Sequence, residues 1–106
     1  LPDFGEVGQH PGVTGQDDQR LAELRTRIDE IDGRILELVA DRLRTALEIG
    51  ELKRRLGRPI YDPERERLIV ERLMSRAAAP LRPDQVRRVF ERLIDESRTA
   101  ELAREG

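Results

Sequence analysis

Residues 18–56 read DQRLAELRTRIDEIDGRILELVADRLRTALEIGELKRRL, and their spacing sets the fold class. Leu21, Leu24, Ile28, Ile31, Ile35 and Leu38 recur at alternating three- and four-residue steps, and Ile49, Leu52 and Leu56 resume the rhythm in the same phase. Heptad spacing of this kind keeps apolar side chains along one seam of a helix. Gly57 suits the left-handed residue that ends a helix, and Pro59 cannot continue one. The spacing predicts a single helix over about 18–56, roughly 55–60 Å long at the rise of an α-helix. A compact domain of this size is much narrower than that. The remaining half of the chain is too short to cover such a helix, so a second copy lying alongside is expected.

On the N-terminal side, residues 1–17 (LPDFGEVGQHPGVTGQD) are rich in Gly and Pro and lack periodicity. They are expected to form a tail, with Phe4 and Val7 as its possible anchors. Residues 18–106 are expected to form one helical domain. On the C-terminal side, Asp62-Pro63 supplies an N-cap carboxylate followed by proline at the first helical position. Leu68, Ile69, Leu73 and Met74 would form the buried face of this second helix, which should end within 77–81, broken by Pro80. Pro83 then opens a third helix with an apolar stripe of Val86, Val89, Phe90, Leu93, Ile94 and Ala100, fraying over 103–106. The expected fold is all-α: three helices, the first very long, in an intertwined homodimer.

Composition narrows the function. The chain has 106 residues, 40% of them charged and 3% aromatic, with a net charge of −2 and no cysteine. Disulfide frameworks, thiol catalysis and zinc sites with Cys ligands are excluded, and one histidine, His10, makes a metal site improbable. Neither a basic surface nor a set of stacking aromatics points to nucleic acid. No run approaches the ~20 apolar residues of a membrane span, and residues 1–17 have no basic n-region or apolar run of a signal peptide. A cytoplasmic protein without a cofactor is expected.

Chemistry is sought where the apolar pattern breaks. The seam reaches Arg42 and Thr45 where apolar side chains belong. Arg42, Ala46, Ile49 or Gly50, and Lys53 follow one face by helical steps, so two cations bracket small residues beside which an anion has room. Either cation alone reads as well as a solvated or snorkelling side chain. Leu93, Ser97 and Glu101 stack four residues apart and extend an apolar stripe with polar groups, which equally suits a helix end facing water. Asp62, Glu66, Ile69 and Leu73 share a face, with Arg65 beside Glu66; acidic groups near a helix N-terminus are also favourable in their own right. The Arg54-Arg55 and Arg87-Arg88 pairs read as solvated faces. Arg25 lies about 25 Å along the helix from Arg42, so it could join a site at Arg42 only from an antiparallel partner chain.

The ordered elements LRTRIDEID (24–32), LVADR (38–42), Ile49-Gly50 with Lys53, RPIYDPERE (58–66), and Ser97 with Glu101 after Phe90 together resemble the all-helical chorismate mutases of the shikimate pathway. The resemblance covers about residues 20–102. It implies an intertwined homodimer that rearranges chorismate, a dicarboxylate, to prephenate in aromatic amino-acid biosynthesis, without cofactor or metal. By resemblance, Arg25 of the partner subunit binds one substrate carboxylate and Arg42 the other. Lys53 donates to the ether oxygen and orients a carboxylate. Asp62, Arg65 and Glu66 hold the ring side, Glu66 accepts from the substrate hydroxyl, and Ser97 lines the pocket. Glu101 stands where many relatives have glutamine and some glutamate. A glutamate can donate to the ether oxygen only when protonated, so activity is expected to fall as pH rises through its pKa. A 4-amino-4-deoxychorismate mutase or an isochorismate pyruvate-lyase would use the same fold, and a non-catalytic helical dimerisation or regulatory module also fits the heptads. A partner enzyme is compatible with such a domain.

Overall fold

The computed structural model describes residues 15–104, which contain three α-helices and no strand. They are α1 (Gly15–Leu56), α2 (Pro63–Met74) and α3 (Pro83–Ala103). Phe4, Val7 and His10 lie outside the described residues, as do residues 105 and 106. The chain divides into two compact units between Glu37 and Leu38.

The first unit, in its described part, is the N-terminal portion of α1. The helix begins at Gly15, ahead of the expected start near Asp18. Asp17 and Asp18 occupy its first turn, where carboxylates favour the positive end of the helix dipole. Leu21, Leu24 and Ile28 are exposed along this unit, and Ile31 is half-buried.

The second unit joins the rest of α1 to α2 and α3. Helix α1 ends as its sequence dictates. Gly57 takes φ +69°, its N–H donates to Arg54 O at 3.2 Å, and Arg58 N donates to Lys53 O at 2.8 Å. That is the Schellman arrangement, which satisfies carbonyls the helix would otherwise leave open. The connection then buries Ile60 and reaches Asp62, whose Oδ1 accepts from Arg65 N at 3.1 Å and caps α2. Helix α2 stops at Met74, earlier than the expected end within 77–81, with Ser75 Oγ donating to Arg72 O at 2.6 Å. That side-chain bond offers the carbonyl an alternative to continued helix. The Ala79–Pro80 peptide is cis. Pro83 opens α3, where Gln85 Oε1 accepts from Arg82 N at 2.9 Å.

Packing departs from the expected stripes in an instructive way. On α1 the half-buried positions are Val39, Ala40, Arg42, Leu43, Ala46, Leu47, Lys53 and Arg54, with Gly50 fully buried. The seam residues Ile49, Leu52 and Leu56 remain exposed. Two stripes therefore run along this part of α1, one turned to α2 and α3 and one uncovered within the chain. On α2, Val70 is buried and Leu68 is exposed, reversing the expectation; Ile69, Leu73 and Met74 are half-buried. On α3, Val86 and Ile94 are buried, Phe90, Leu93 and Ala100 half-buried, and Val89 exposed. No described helix is long and apolar enough to cross a membrane.

Candidate active site

Ser97 and Glu101, the two polar residues that extend the α3 stripe, are both buried, at 7% and 9% exposure. Burying polar groups is unfavourable unless they find partners, and here they face α1. Arg42 Nη1 donates to Ser97 Oγ at 2.8 Å, and Ser97 Oγ donates to Leu93 O at 2.9 Å. The hydroxyl thus accepts from the guanidinium while its own proton is absorbed by the helix backbone. Gly50 of α1 faces Glu101: a Cβ on Gly50 would stand 3.1 Å from both Cγ and Oε2 of Glu101. The glycine is what lets the carboxyl sit against the helix.

These groups line a cavity of about 530 Å³, within the range of small-molecule sites. Arg42, Thr45, Ala46, Ile49 and Lys53 form the α1 wall; Asp62, Arg65, Glu66 and Ile69 form the wall at the start of α2; Ile94, Ser97, Arg98 and Glu101 form the α3 wall. Lys53 is fixed by donating from Nζ to Ile60 O at 3.0 Å, so one bond ties the cation to the α1–α2 connection. Thr45 Oγ1 donates to Asp41 O at 2.9 Å, which satisfies a hydroxyl in the interrupted seam.

Burial pushes the Glu101 carboxyl above its ordinary value, and the negative charge of Glu66 adds to the rise. Lys53 opposes it most, followed by Arg42 and Arg54, all of which favour the ionised form. Desolvation is the largest influence, so Glu101 holds its proton to higher pH than a free glutamate.

Seven of the eight residues singled out from the sequence thus line one cavity: Arg42, Lys53, Asp62, Arg65, Glu66, Ser97 and Glu101. Arg25 belongs to the first unit, is exposed, and is not part of the lining. Two arginines are placed otherwise than the sequence suggests. Arg98 lines the cavity and pairs with Glu66, Nε to Oε2 at 3.1 Å. It follows Ile94 by four residues and precedes Glu101 by three, a helical row adjacent to the one containing Leu93 and Ser97. Arg54, expected on a solvated face, is half-buried; its Nη1 is buried without a hydrogen-bond partner, and its Nη2 stands 3.5 Å from Glu51. The reason is its place one turn beyond Gly50, on the stripe turned to α3. No cluster of three or more His, Asp or Glu suited to a metal occurs among the described residues.

Cations stand on all three helical walls, with a carboxyl among them that burial holds above its ordinary pKa. A description of the chorismate mutase type II family matches residues 24–102, and the chain belongs to that family. A chorismate mutase of Methanocaldococcus jannaschii is 51% identical over 55 residues, covering 52% of this chain and 56% of the relative. A bifunctional chorismate mutase/prephenate dehydratase of Aquifex aeolicus is 46% identical over 56 residues, covering 53% of this chain and 16% of the relative. The matches therefore span about half of the first relative and a small part of the second. Among solved structures, form II of the Thermus thermophilus chorismate mutase aligns with a TM-score of 0.75 at 33% identity, covering 77% of this chain and 93% of that one.

Proposed function

We propose that this protein converts chorismate to prephenate in aromatic amino-acid biosynthesis, acting as a homodimer whose cavity is completed by Arg25 of the partner subunit. The observation that carries the reading is the constellation of half-buried Arg42 with buried Ser97, Glu101 and Gly50. A structural or regulatory module has no need of a guanidinium held on a buried hydroxyl, or of a helix glycine that makes room for a buried carboxyl.

The reaction is an intramolecular [3,3] rearrangement: the ether C–O bond breaks as a C–C bond forms, and no proton or covalent intermediate is required. The protein's task is to hold the substrate in its compact reactive conformer and to stabilise charge growing on the ether oxygen. Arg42, fixed by Ser97, binds one substrate carboxylate through its planar fork. Arg25 of the partner subunit binds the other. Lys53, and Glu101 when it holds its proton, donate to the ether oxygen, and the charge they meet is larger in the transition state than in the bound substrate. Asp62, Arg65 and Glu66 hold the ring side, with Glu66 accepting from the ring hydroxyl.

An assay of chorismate disappearance and prephenate formation on the purified protein tests this directly. Turnover that is lost in Arg42→Ala is expected. Absence of prephenate at high enzyme concentration would overturn the reading.

A further inference from the structure

Arg98 is held from three sides. Its guanidinium grips Glu66 with Nε to Oε2 at 3.1 Å and Nη2 to Oε1 at 3.5 Å, so both carboxylate oxygens are engaged. Nη2 also donates to Asp95 Oδ1 at 2.5 Å, and the guanidinium carbon lies 5.0 Å above the centre of the Tyr61 ring. The Arg98 and Glu66 side chains are only about one-quarter exposed, at 25% and 24%, whereas Asp95 is 59% exposed. The pair joins α3 to α2 across 32 residues of sequence and stands in the cavity wall.

We infer that Arg98 is a positioning and specificity-determining residue: it orients Glu66 and offsets its charge, so that this wall receives a neutral hydroxyl rather than an ammonium group at the same ring position. The inference rests on the proposed function, in which Glu66 faces that position. A lone carboxylate would attract an ammonium through its full charge. Beside Arg98, a cation entering the cavity meets a pair without net charge, and in the same wall the charges of Asp62 and Arg65 offset each other. Asp95 restores little of the attraction because it is well exposed and screened by water. A hydroxyl needs only one lone pair in a fixed direction. Each carboxylate oxygen carries two, so with one on each oxygen engaged by Arg98, Glu66 still has acceptor sites for a hydroxyl. The cation–π contact with Tyr61 adds a third hold on the guanidinium that grips Glu66.

The test compares chorismate with 4-amino-4-deoxychorismate in wild type, Arg98→Met and Arg98→Lys, reading kcat/KM for both substrates on each preparation. The ratio between substrates cancels any difference in folded fraction, so a partly unfolded variant still reports. The wild type is expected to favour the hydroxyl substrate. Arg98→Met should shift the ratio towards the amine by about tenfold, the scale of one charge-assisted hydrogen bond. Arg98→Lys, which keeps the charge, should recover most of the preference. A wild type that favours the amine, a ratio unchanged in Arg98→Met, or a ratio that Arg98→Lys fails to rescue would each overturn the inference. A wild type inert towards both substrates would overturn the proposed function itself, a result distinct from an active enzyme indifferent to Arg98.

Discussion

Glu101 concentrates the residue-scale chemistry of the proposed reaction, in which one proton would decide whether it helps or opposes the developing oxyanion. Its carboxyl is raised chiefly by burial, with Glu66 adding to the rise and Lys53, Arg42 and Arg54 opposing it. If the protonated form is the donor, wild-type activity falls as pH climbs through this raised value. Glu101→Gln, a donor at every pH, should hold its rate and overtake the wild type once the pH passes that raised value. A wild-type pH–rate profile that is flat from acid to neutral would end this account. Stability moves with the same sign. The unfolded carboxyl releases its proton at lower pH than the folded one, so the contribution present below the unfolded pKa is lost as pH rises through the folded pKa. Thermal melts of the wild type should therefore decline across that window relative to Glu101→Gln. Gly50 offers an independent check. In a helix interior Gly→Ala ordinarily stabilises by about 0.5–1 kcal/mol. At Gly50 the new Cβ would press on Glu101 at 3.1 Å. Gly50→Ala is expected to leave the melting temperature nearly unchanged while lowering kcat, because the helix gain offsets the displaced carboxyl. A clear rise in melting temperature with full activity would show that Glu101 moves aside freely and that its position is not tied to the glycine.

At the scale of the elements, the helix ends carry the sequence rules most directly. Gly57 holds a left-handed φ that closes α1 and turns the chain towards Ile60, whose carbonyl fixes Lys53. Gly57→Ala should destabilise by about 1–2 kcal/mol, the penalty of a Cβ in that conformation. Denaturant titration measures this; a loss under a few tenths would mean that the turn rearranges without cost. The end of α1 and the starts of α2 and α3 were legible in the sequence because caps and stops depend on neighbours one to four residues away; the start of α1 at Gly15 and the end of α2 at Met74 were not. The rows containing Arg42, Lys53, Glu66, Ser97 and Glu101 were legible for a related reason: on a helix, residues three and four apart share a face whatever they face. What local spacing cannot decide is which of two adjacent rows turns inward. Val70 rather than Leu68 is buried on α2, and Arg98 beside Ser97 enters the cavity wall. Both outcomes depend on how α2 meets α3, which no single-helix pattern contains. Arg54 was misread in the same way, since its neighbour Arg55 is exposed as expected while Arg54 turns inward beyond Gly50.

For the whole molecule, the telling feature is apolar seam left without a cover. In the first unit Leu21, Leu24 and Ile28 are 47%, 42% and 56% exposed; in the second, Ile49, Leu52 and Leu56 are 49%, 49% and 55% exposed. Apolar side chains at regular helical spacing favour association, since their burial against a second copy removes them from water. A homodimer in which Arg25 serves the partner's cavity makes a demanding prediction. Arg25→Ala and Arg42→Ala should each be nearly inactive alone, because every site in either homodimer lacks one carboxylate-binding arginine. Refolded together at equal amounts, half of the dimers should be mixed, and each mixed dimer would contain one site with both arginines and one with neither. Recovery to about one quarter of wild-type activity follows from that symmetry. Recovery should also be lost on dilution below the dimer's dissociation constant, with a melting temperature that depends on protein concentration. Two inactive variants that stay inactive after mixing, although mass measurements show exchanged dimers, would place both arginines in the same subunit's site or outside it. Activity of Arg25→Ala alone near the wild-type level would remove Arg25 from the site altogether, leaving Arg42, Lys53 and Arg65 as the cations that hold the substrate.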